Sequence, residues 1–460
     1  MRVRNIVICV KAALVLLWPG LALAHVAEQG FVLLLPTGVY TAAGVAAVAL
    51  TAFVLIAAPA ERMQRLFAAR RMRLPTVERL RIFTSLLSLI ALVFLIYVGF
   101  NGPRDPLSNL MPLVFWTFFW IMLVTLAGVF GDLWRWLNPW TGLYRLIGAP
   151  QQPLRLPAAL GVWPATALVI LFSAFLLADI APDDPARLAY FVGIYWLFTM
   201  FGLVLFGPAW LSQVEVFSAL FRLYGALSPF RARPDGGFGA PGWRLLGIAP
   251  TVSTGVLALT LLGAGSFDGL NETFWWLARI GVNPLEFPGR SAVVAPTILG
   301  LVASIVLLIA AFALTVWLGL WITQSTRDFP VAFSRLALSL LPIAFGYHIA
   351  HYFTAFLVNG QYLLAALSDP WADGSDYLGL APFYVTTGFF NHMDTVRIIW
   401  LTQAGAVVIG HVWAVLLAHR MATDLFPSGR KAALATAPLS AFMVAYTFLG
   451  LWLLAAPRGA

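Results

Sequence analysis

The chain has 460 residues, of which 61% are hydrophobic and only 10% charged. Soluble domains carry about 25% charged residues, so this composition excludes a soluble globular fold and implies an all-α, polytopic transmembrane helical bundle. The formal net charge of +9 sorts by membrane side rather than into one basic patch, which removes nucleic acid from the expected partners and leaves the lipid bilayer.

Residues 1–24 have the pattern of a signal peptide. Arg2, Arg4 and Lys11 supply charge, Ile6 to Trp18 form the apolar stretch, and Pro19-Gly20 precede the small-residue site Ala22-Leu23-Ala24. Cleavage after Ala24 makes His25 the first residue, whose free amine and imidazole can chelate a borderline metal such as zinc or copper. The single cysteine, Cys9, lies inside this segment. The remaining chain therefore has no disulfide, thiolate metal site, iron–sulfur cluster or covalent haem.

Residues 25–460 are expected to form one membrane domain with ten spans, at about 31–58, 82–100, 110–130, 159–178, 188–208, 247–265, 293–322, 333–357, 395–418 and 433–456. With the N-terminus outside, and with Arg335 and Arg397 counted in the adjoining loops, the inner segments hold 19 Lys/Arg against 7 Asp/Glu and the outer ones 6 against 12. That asymmetry predicts a bacterial inner-membrane protein with both termini periplasmic. Two inner segments, near 131–150 and 209–230, carry a weak repeat: Phe130-Gly131-Asp132-Leu133-Trp134 is echoed by Phe206-Gly207-Pro208-Ala209-Trp210. In the second copy Val214, Phe217, Phe221 and Tyr224 share a helical face, which predicts an amphipathic helix lying on the inner surface. Two outer cap loops are expected near 266–290 and 358–394, the second punctuated by Pro370, Gly374, Gly379 and Pro382.

Candidate chemistry gathers on the outer side. His348 and His351 are three apart in the eighth span, so they share a helix face about 5–6 Å apart, a workable spacing for metal ligation or a proton relay. His392 closes the loop that follows, His25 starts the mature chain, and Gln403 reaches the same level as a residue that could orient an imidazole. Asp268 or Asp394 is the candidate general base. Trp275, Trp276 and Tyr352 are the candidate apolar binding surface, although a Trp pair at headgroup level also suits an aromatic belt. A second polar set, Asp132, Glu215 and His411, lies further in. His411 is roughly 10 Å below His348 by helical rise, which argues against one haem between them. No phosphate-binding glycine loop, nucleophile elbow, HExxH or paired-cysteine motif occurs. Hydrolytic chemistry would have to rest on metal-activated water.

The segment Gly131-Asp132-Leu133-Trp134-Arg135-Trp136-Leu137-Asn138-Pro139-Trp140 resembles one found in bacterial integral-membrane fenitrothion hydrolases. So do Ala350-His351-Tyr352-Phe353, Asn359-Gly360-Gln361, Ser368-Asp369-Pro370, the stretch from Trp400 and Gln403 through Gly410-His411-Val412 to Ala418-His419-Arg420, and Tyr446-Thr447. The resemblance runs through most of the chain and implies hydrolysis of an organophosphorus triester at its aryl ester bond by a membrane-embedded protein. It brings no catalytic residues with it. The residues themselves support two classes of function. In an enzyme, a divalent metal on His25, His348, His351 and His392 would act on an apolar small molecule drawn from the bilayer. In a proton- or metal-coupled transporter, the same histidines would continue inward through Gln403 and His411 to Asp132 and Glu215. An accessory membrane subunit, acting with a partner membrane protein, is the third possibility.

Overall fold

The computed structural model describes residues 32–71, 78–148, 154–231, 236–286, 289–426 and 428–458. The expected signal peptide and His25 lie outside these residues. The all-α class holds. Among the described residues nine helices are long and apolar enough to cross a membrane. In chain order the helices that matter here are α1 (Thr37–Ile56), α2 (Glu78–Asn101), α3 (Leu110–Phe130), α4 (Trp163–Ala178), α5 (Pro185–Phe206), α6 (Val216–Gly225), α7 (Val252–Asn271), α8 (Phe274–Arg279), α9 (Val294–Ile322), α10 (Leu341–Ser368), α11 (Met393–Leu425) and α12 (Gly429–Ala455). The expected span at 159–178 is the shorter helix α4. A helix at Phe329–Ala337 leads into α10 through one 3-10 turn, so the two form a continuous 40-residue crossing.

The helix starts follow from ordinary capping. Asp184 accepts the Arg187 N–H before Pro185 opens α5, and Thr251, Thr273 and Ser428 cap α7, α8 and α12 through their hydroxyls. Both FG-x-x-W copies also have a local cause. Gly131 (φ +108°) and Gly207 (φ +64°) end α3 and α5 in left-handed backbone that glycine adopts without steric cost, and each releases the chain into a short helix.

Polarity decides which helices are central. α2 is among the most apolar spans and has 17% of its most apolar window buried in protein, leaving side chains such as Phe83 and Ile90 on the outer face. α7 is the least apolar of the nine and is 78% buried. Hydrocarbon accepts an all-apolar helix and rejects hydroxyls and carboxylates, so the polar helices are packed inside. α7 sits against α4, α9 and α10. α10 packs on α11 and on α3, and α11, α12 and α1 complete that side of the bundle. α2 and α5 pair on the far side of α3. At one end, two-residue strands β1 (Arg70–Arg71), β2 (Phe230–Arg231) and β3 (Gly237–Phe238) tie two loops together in the antiparallel order β1-β3-β2.

Three expectations about the loops need correction. α7 continues to Asn271, so Asp268 is a helix residue and not part of a loop beginning at 266. α10 continues to Ser368, which shortens the second cap loop to about 369–392. α6 does not lie on a surface. Eight of its ten residues are buried, including Phe217, Phe221 and Tyr224, because the Trp134 ring stacks on Phe221 at 5.5 Å and Phe119 meets Phe217 edge-on.

The α10–α11 crossing depends on two glycines. A Cβ at Gly346 would stand 2.5 Å from the Ala406 carbonyl oxygen, and one at Gly410 would stand 2.6 Å from that of Pro342. Both obstacles are backbone and cannot swing aside. Gly346→Ala and Gly410→Ala should each cost about 1–3 kcal/mol through forced separation of the helices. Their melting temperatures in detergent should fall, while Gly405→Ala, with open space at its Cβ, should melt like the parent. Equal melting of all three would show that the crossing is looser than described.

The shortened cap loop is organised by Asp376. Its carboxylate accepts the Ser368 hydroxyl at 2.7 Å and the N–H groups of Leu380 and Ala381 at 2.7 and 3.2 Å. These donors, the serine hydroxyl first, hold the carboxyl below its ordinary value of 3.8. A depressed carboxyl stabilises the folded loop above that ordinary value, and the contribution disappears as pH falls through the lower folded value. An acid-active protease should therefore cleave within 369–392 faster at about pH 3 than at about pH 5, after correction for its own pH profile. Asp376→Asn should reduce that difference, leaving the smaller part due to Asp373, whose carboxyl Ser375 also holds low. An unchanged pH response in the variant would assign it to another group.

Candidate functional site

α7 and α10 present their polar faces to one another near the end of α7. Asp268 and Glu272 are one helical turn apart, so their carboxylates share a side, and His351 of α10 faces them. Ligand atoms of Asp268, Glu272 and His351 lie within 4.8 Å of one another, a group that could hold a metal ion. His351 Nε2 is 3.2 Å from Asp268 Oδ2, and the Tyr352 hydroxyl donates to that same oxygen at 2.5 Å. Asp268 is buried whereas Glu272 is exposed, so the group has a closed floor and an open mouth. At the mouth the Arg458 guanidinium lies 3.5 Å from Glu272 Oε2, and the Phe274 N–H donates to Pro457 O. The end of the chain therefore crosses beside the site.

Beneath the mouth is a cavity of about 40 Å³ lined by Asp268, His351, Tyr352, His348, Tyr347 and Trp120 among others. About 10–15 Å³ of such volume admits a water, so this space suits water or an ion and not a triester. His348 Nε2, His351 Nδ1 and the Tyr347 hydroxyl are buried with no hydrogen-bond partner among the described residues. Buried polar atoms without partners are uncommon and mark positions that a ligand or water can satisfy. Trp120 closes the floor, with its ring edge-on to His348 at 5.4 Å and to Tyr352 at 6.2 Å. It projects from Leu113–Leu123, eleven residues wound as a π-helix inside α3. Such winding is rare and recurs at functional sites.

Tyr347 stacks on His351, with centroids 5.8 Å apart and planes at 11°. Gly269 makes room for it, since a Cβ there would stand 1.7 Å from the Tyr347 hydroxyl. Gly269→Ala should therefore tilt Tyr347 off His351. If the Asp268–Glu272–His351 group holds an ion, the expected signature is a fall of about 10–100-fold in its affinity, with melting little altered. A Gly269→Ala protein that binds metal like the parent would show that Tyr347 does not orient the imidazole.

Of the residues expected to bind metal, His351 is in the three-membered group and His348 faces the adjoining cavity. His392 is exposed at the start of α11. Asp394 is also exposed, paired with Arg397 at 2.7 Å, and neither it nor His392 lines the cavity. Tyr352 is a wall residue, but Trp275 and Trp276 are not. Trp275 stands half-exposed with the Arg279 guanidinium over its ring, and Trp276 packs edge-on against Phe267. Gln403 donates to the Ala350 carbonyl at 2.8 Å, bracing α10 one residue before His351. His411 Nδ1 sits 2.8 Å from Val407 O, and its ring is 6.3 Å from Tyr446, whose hydroxyl meets Ser266 Oγ at 2.6 Å. Glu215 is fully buried and caps α6, while Asp132 accepts the Arg135 N–H at the start of a short helix.

Trp120 was absent from the expected site, and Glu272 was not expected as a metal ligand. The Asp268/Glu272 spacing of four was the available signal, and it had meaning only once α7 was known to reach Asn271. No family model, curated protein or solved structure matches the chain. The molecule is a polytopic helical membrane protein with a carboxylate–imidazole group where the end of α7 meets the middle of α10.

Proposed function

We propose that the protein is a membrane-embedded, metal-dependent hydrolase of apolar organophosphorus triesters, as the resemblance to fenitrothion hydrolases implies. The observation that supports it best is the convergence of Asp268, Glu272 and His351 within 4.8 Å. Two carboxylates and one imidazole suit zinc, with a position left open for water or substrate. The hydroxyl of Tyr352 fixes Asp268, and the orphaned Nδ1 of His351 leaves its second nitrogen able to change role.

A divalent ion there would supply Lewis acidity to a phosphoryl oxygen and acidify a water. The protein's own part is positional. Asp268 and His351 hold the floor, Glu272 completes the set at the mouth, and Trp120 keeps bulk water out. His348, with Nε2 unpartnered on the same cavity, takes the proton as the water's oxygen bonds to phosphorus. The aryl P–O bond breaks, and the phenolate leaves to be protonated in solution.

Purified protein should contain about one zinc per chain and hydrolyse an aryl phosphotriester in liposomes. Chelation should stop the reaction, and added zinc should restore it. Metal-free protein with full activity would remove this reading.

The positive-inside distribution supports a bacterial inner-membrane location with both termini periplasmic, which puts the mouth on the periplasmic side. Alkaline phosphatase fused after residue 455 should then be active, and fused within 62–81 inactive. One set of contacts favours a second reading, proton-coupled transport. The Ser266–Tyr446 contact and the His411 ring continue the polar groups inward from Asp268. In that case His411→Ala would abolish activity without loss of metal, whereas the hydrolase tolerates it.

A further inference from the structure

The small polar cavity cannot contain a triester, but its wall is shared. Phe172 of α4 and Val216 of α6 line it on one side and line a second cavity of about 550 Å³ on the other. The second cavity lies between α2, α3, α4 and α5, and its size falls within the range of about 300–1,000 Å³ typical of small-molecule sites. Its rim includes Leu171 and Phe191, both exposed on the outer surface of the bundle, so it opens sideways toward hydrocarbon.

The polar atoms of its aromatic walls are turned to protein partners. Trp140 Nε1 donates to Trp196 O, Trp196 Nε1 to Pro139 O, and the Tyr195 hydroxyl and Trp134 Nε1 to Glu215. Apart from the Ser88 hydroxyl, the wall is apolar or has its polar atoms satisfied, and such a space stays dry and takes hydrocarbon. The expected apolar surface at Trp275 and Trp276 offers no such enclosure.

We infer that this cavity binds the hydrocarbon part of a bilayer-dissolved ester, with Phe172 as the movable partition between it and the Asp268–His351 site. That the bound molecule is an ester rests on the hydrolase reading. That it is a hydrocarbon rests on the walls alone. The ligand enters between α4 and α5 from the lipid, lodges its chain among the aromatic rings, and directs its polar end past Phe172. Phe172 packs edge-on to Trp120 at 4.8 Å and to Phe217 at 5.3 Å, so rotation of its ring is coupled to the floor of the polar site.

The test uses the full chain in phosphatidylcholine nanodiscs and an alkyl aryl phosphate triester with a diazirine near the end of its alkyl chain. After irradiation, adducts are mapped by mass spectrometry. They should concentrate on the α4 and α5 peptides. Ala91→Trp and Leu168→Trp, which fill the cavity from opposite walls, should weaken this labelling by at least about tenfold. Leu299→Trp, on an exposed face of α9, should not. Phe172→Ala should extend adducts to the α10 peptide carrying His351. A parallel sample with a diazirine-bearing phosphatidylcholine chain separates ligand from ordinary lipid, since it should label exposed faces evenly. Triester adducts distributed like those of the lipid, or unchanged by both filling substitutions and by Phe172→Ala, would overturn the assignment. Zinc content in the same samples keeps the two proposals apart, because a failed pocket leaves zinc in place and a failed metal site leaves the labelling in place.

Discussion

On the hydrolase reading proposed above, Asp268→Asn should abolish zinc binding at the Asp268–Glu272–His351 group and lower triester hydrolysis at least about 100-fold, while still inserting and folding. Changing a residue that only orients a ligand costs about 10–100-fold in affinity, and changing a ligand costs more. Asparagine has nearly the shape of aspartate and keeps an oxygen for the Tyr352 hydroxyl, so the packing between α7 and α10 is retained. The negative charge is removed and one acceptor oxygen becomes an amide donor. Asp268→Leu makes the contrast. It leaves the Tyr352 hydroxyl and His351 Nε2 without their shared partner, and breaking a buried pair in this way costs about 3–5 kcal/mol. Zinc by elemental analysis, hydrolysis in liposomes and melting in detergent separate the outcomes. An Asp268→Asn protein that keeps both zinc and activity would reduce the Asp268–His351–Tyr352 contacts to an interhelical brace.

Glu215→Ala should prevent stable folding, and Glu215→Gln should not. The Glu215 carboxylate has no exposed surface and accepts the Tyr195 hydroxyl at 2.6 Å, Trp134 Nε1 at 3.4 Å, and the Phe217 and Ser218 N–H groups at 2.9 and 2.6 Å. Alanine leaves these donors buried and unpaired, at about 1–3 kcal/mol each, and removes the cap of α6. The four losses together, about 4–12 kcal/mol, approach the total stability of many domains. Glutamine keeps one acceptor oxygen and the side-chain length, so the protein should accumulate in the membrane with a lower melting temperature and full hydrolysis. Had Glu215 belonged to an inward proton relay, Glu215→Gln would fold well and lose activity. Measuring expression, melting and turnover on the two variants decides which role the carboxylate has.

The amino-acid sequence by itself determined the class of the molecule and the approximate positions of its crossings, though not where α7 and α10 end. Bilayer thickness demands long apolar helices, and that requirement is written along a chain without any need for neighbours. The echo of Phe130-Gly131 in Phe206-Gly207 was visible in the sequence, but that both glycines end helices in positive-φ backbone came from the structure. Histidine spacing on one helix likewise singled out His348 and His351.

Tertiary structure decided the site. Asp268 becomes a partner of His351 only because α7 runs on to Asn271 and lies against α10, whose histidine is 83 positions further along the chain. Trp120 reaches the same place through a π-wound segment that no apolar pattern announces. Hydrophobic periodicity also misplaced α6. An apolar face on a short helix fits a membrane surface and a protein interior equally well, and the stacking of Trp134 and Phe119 settles it in favour of the interior. The apolar cavity was invisible for a related reason. Its rings come from five separate helices, and in a chain this hydrophobic nothing local distinguishes a residue that lines a pocket from one that faces lipid. Local chemistry thus specifies what each helix is, and the contacts between helices specify what the molecule can hold.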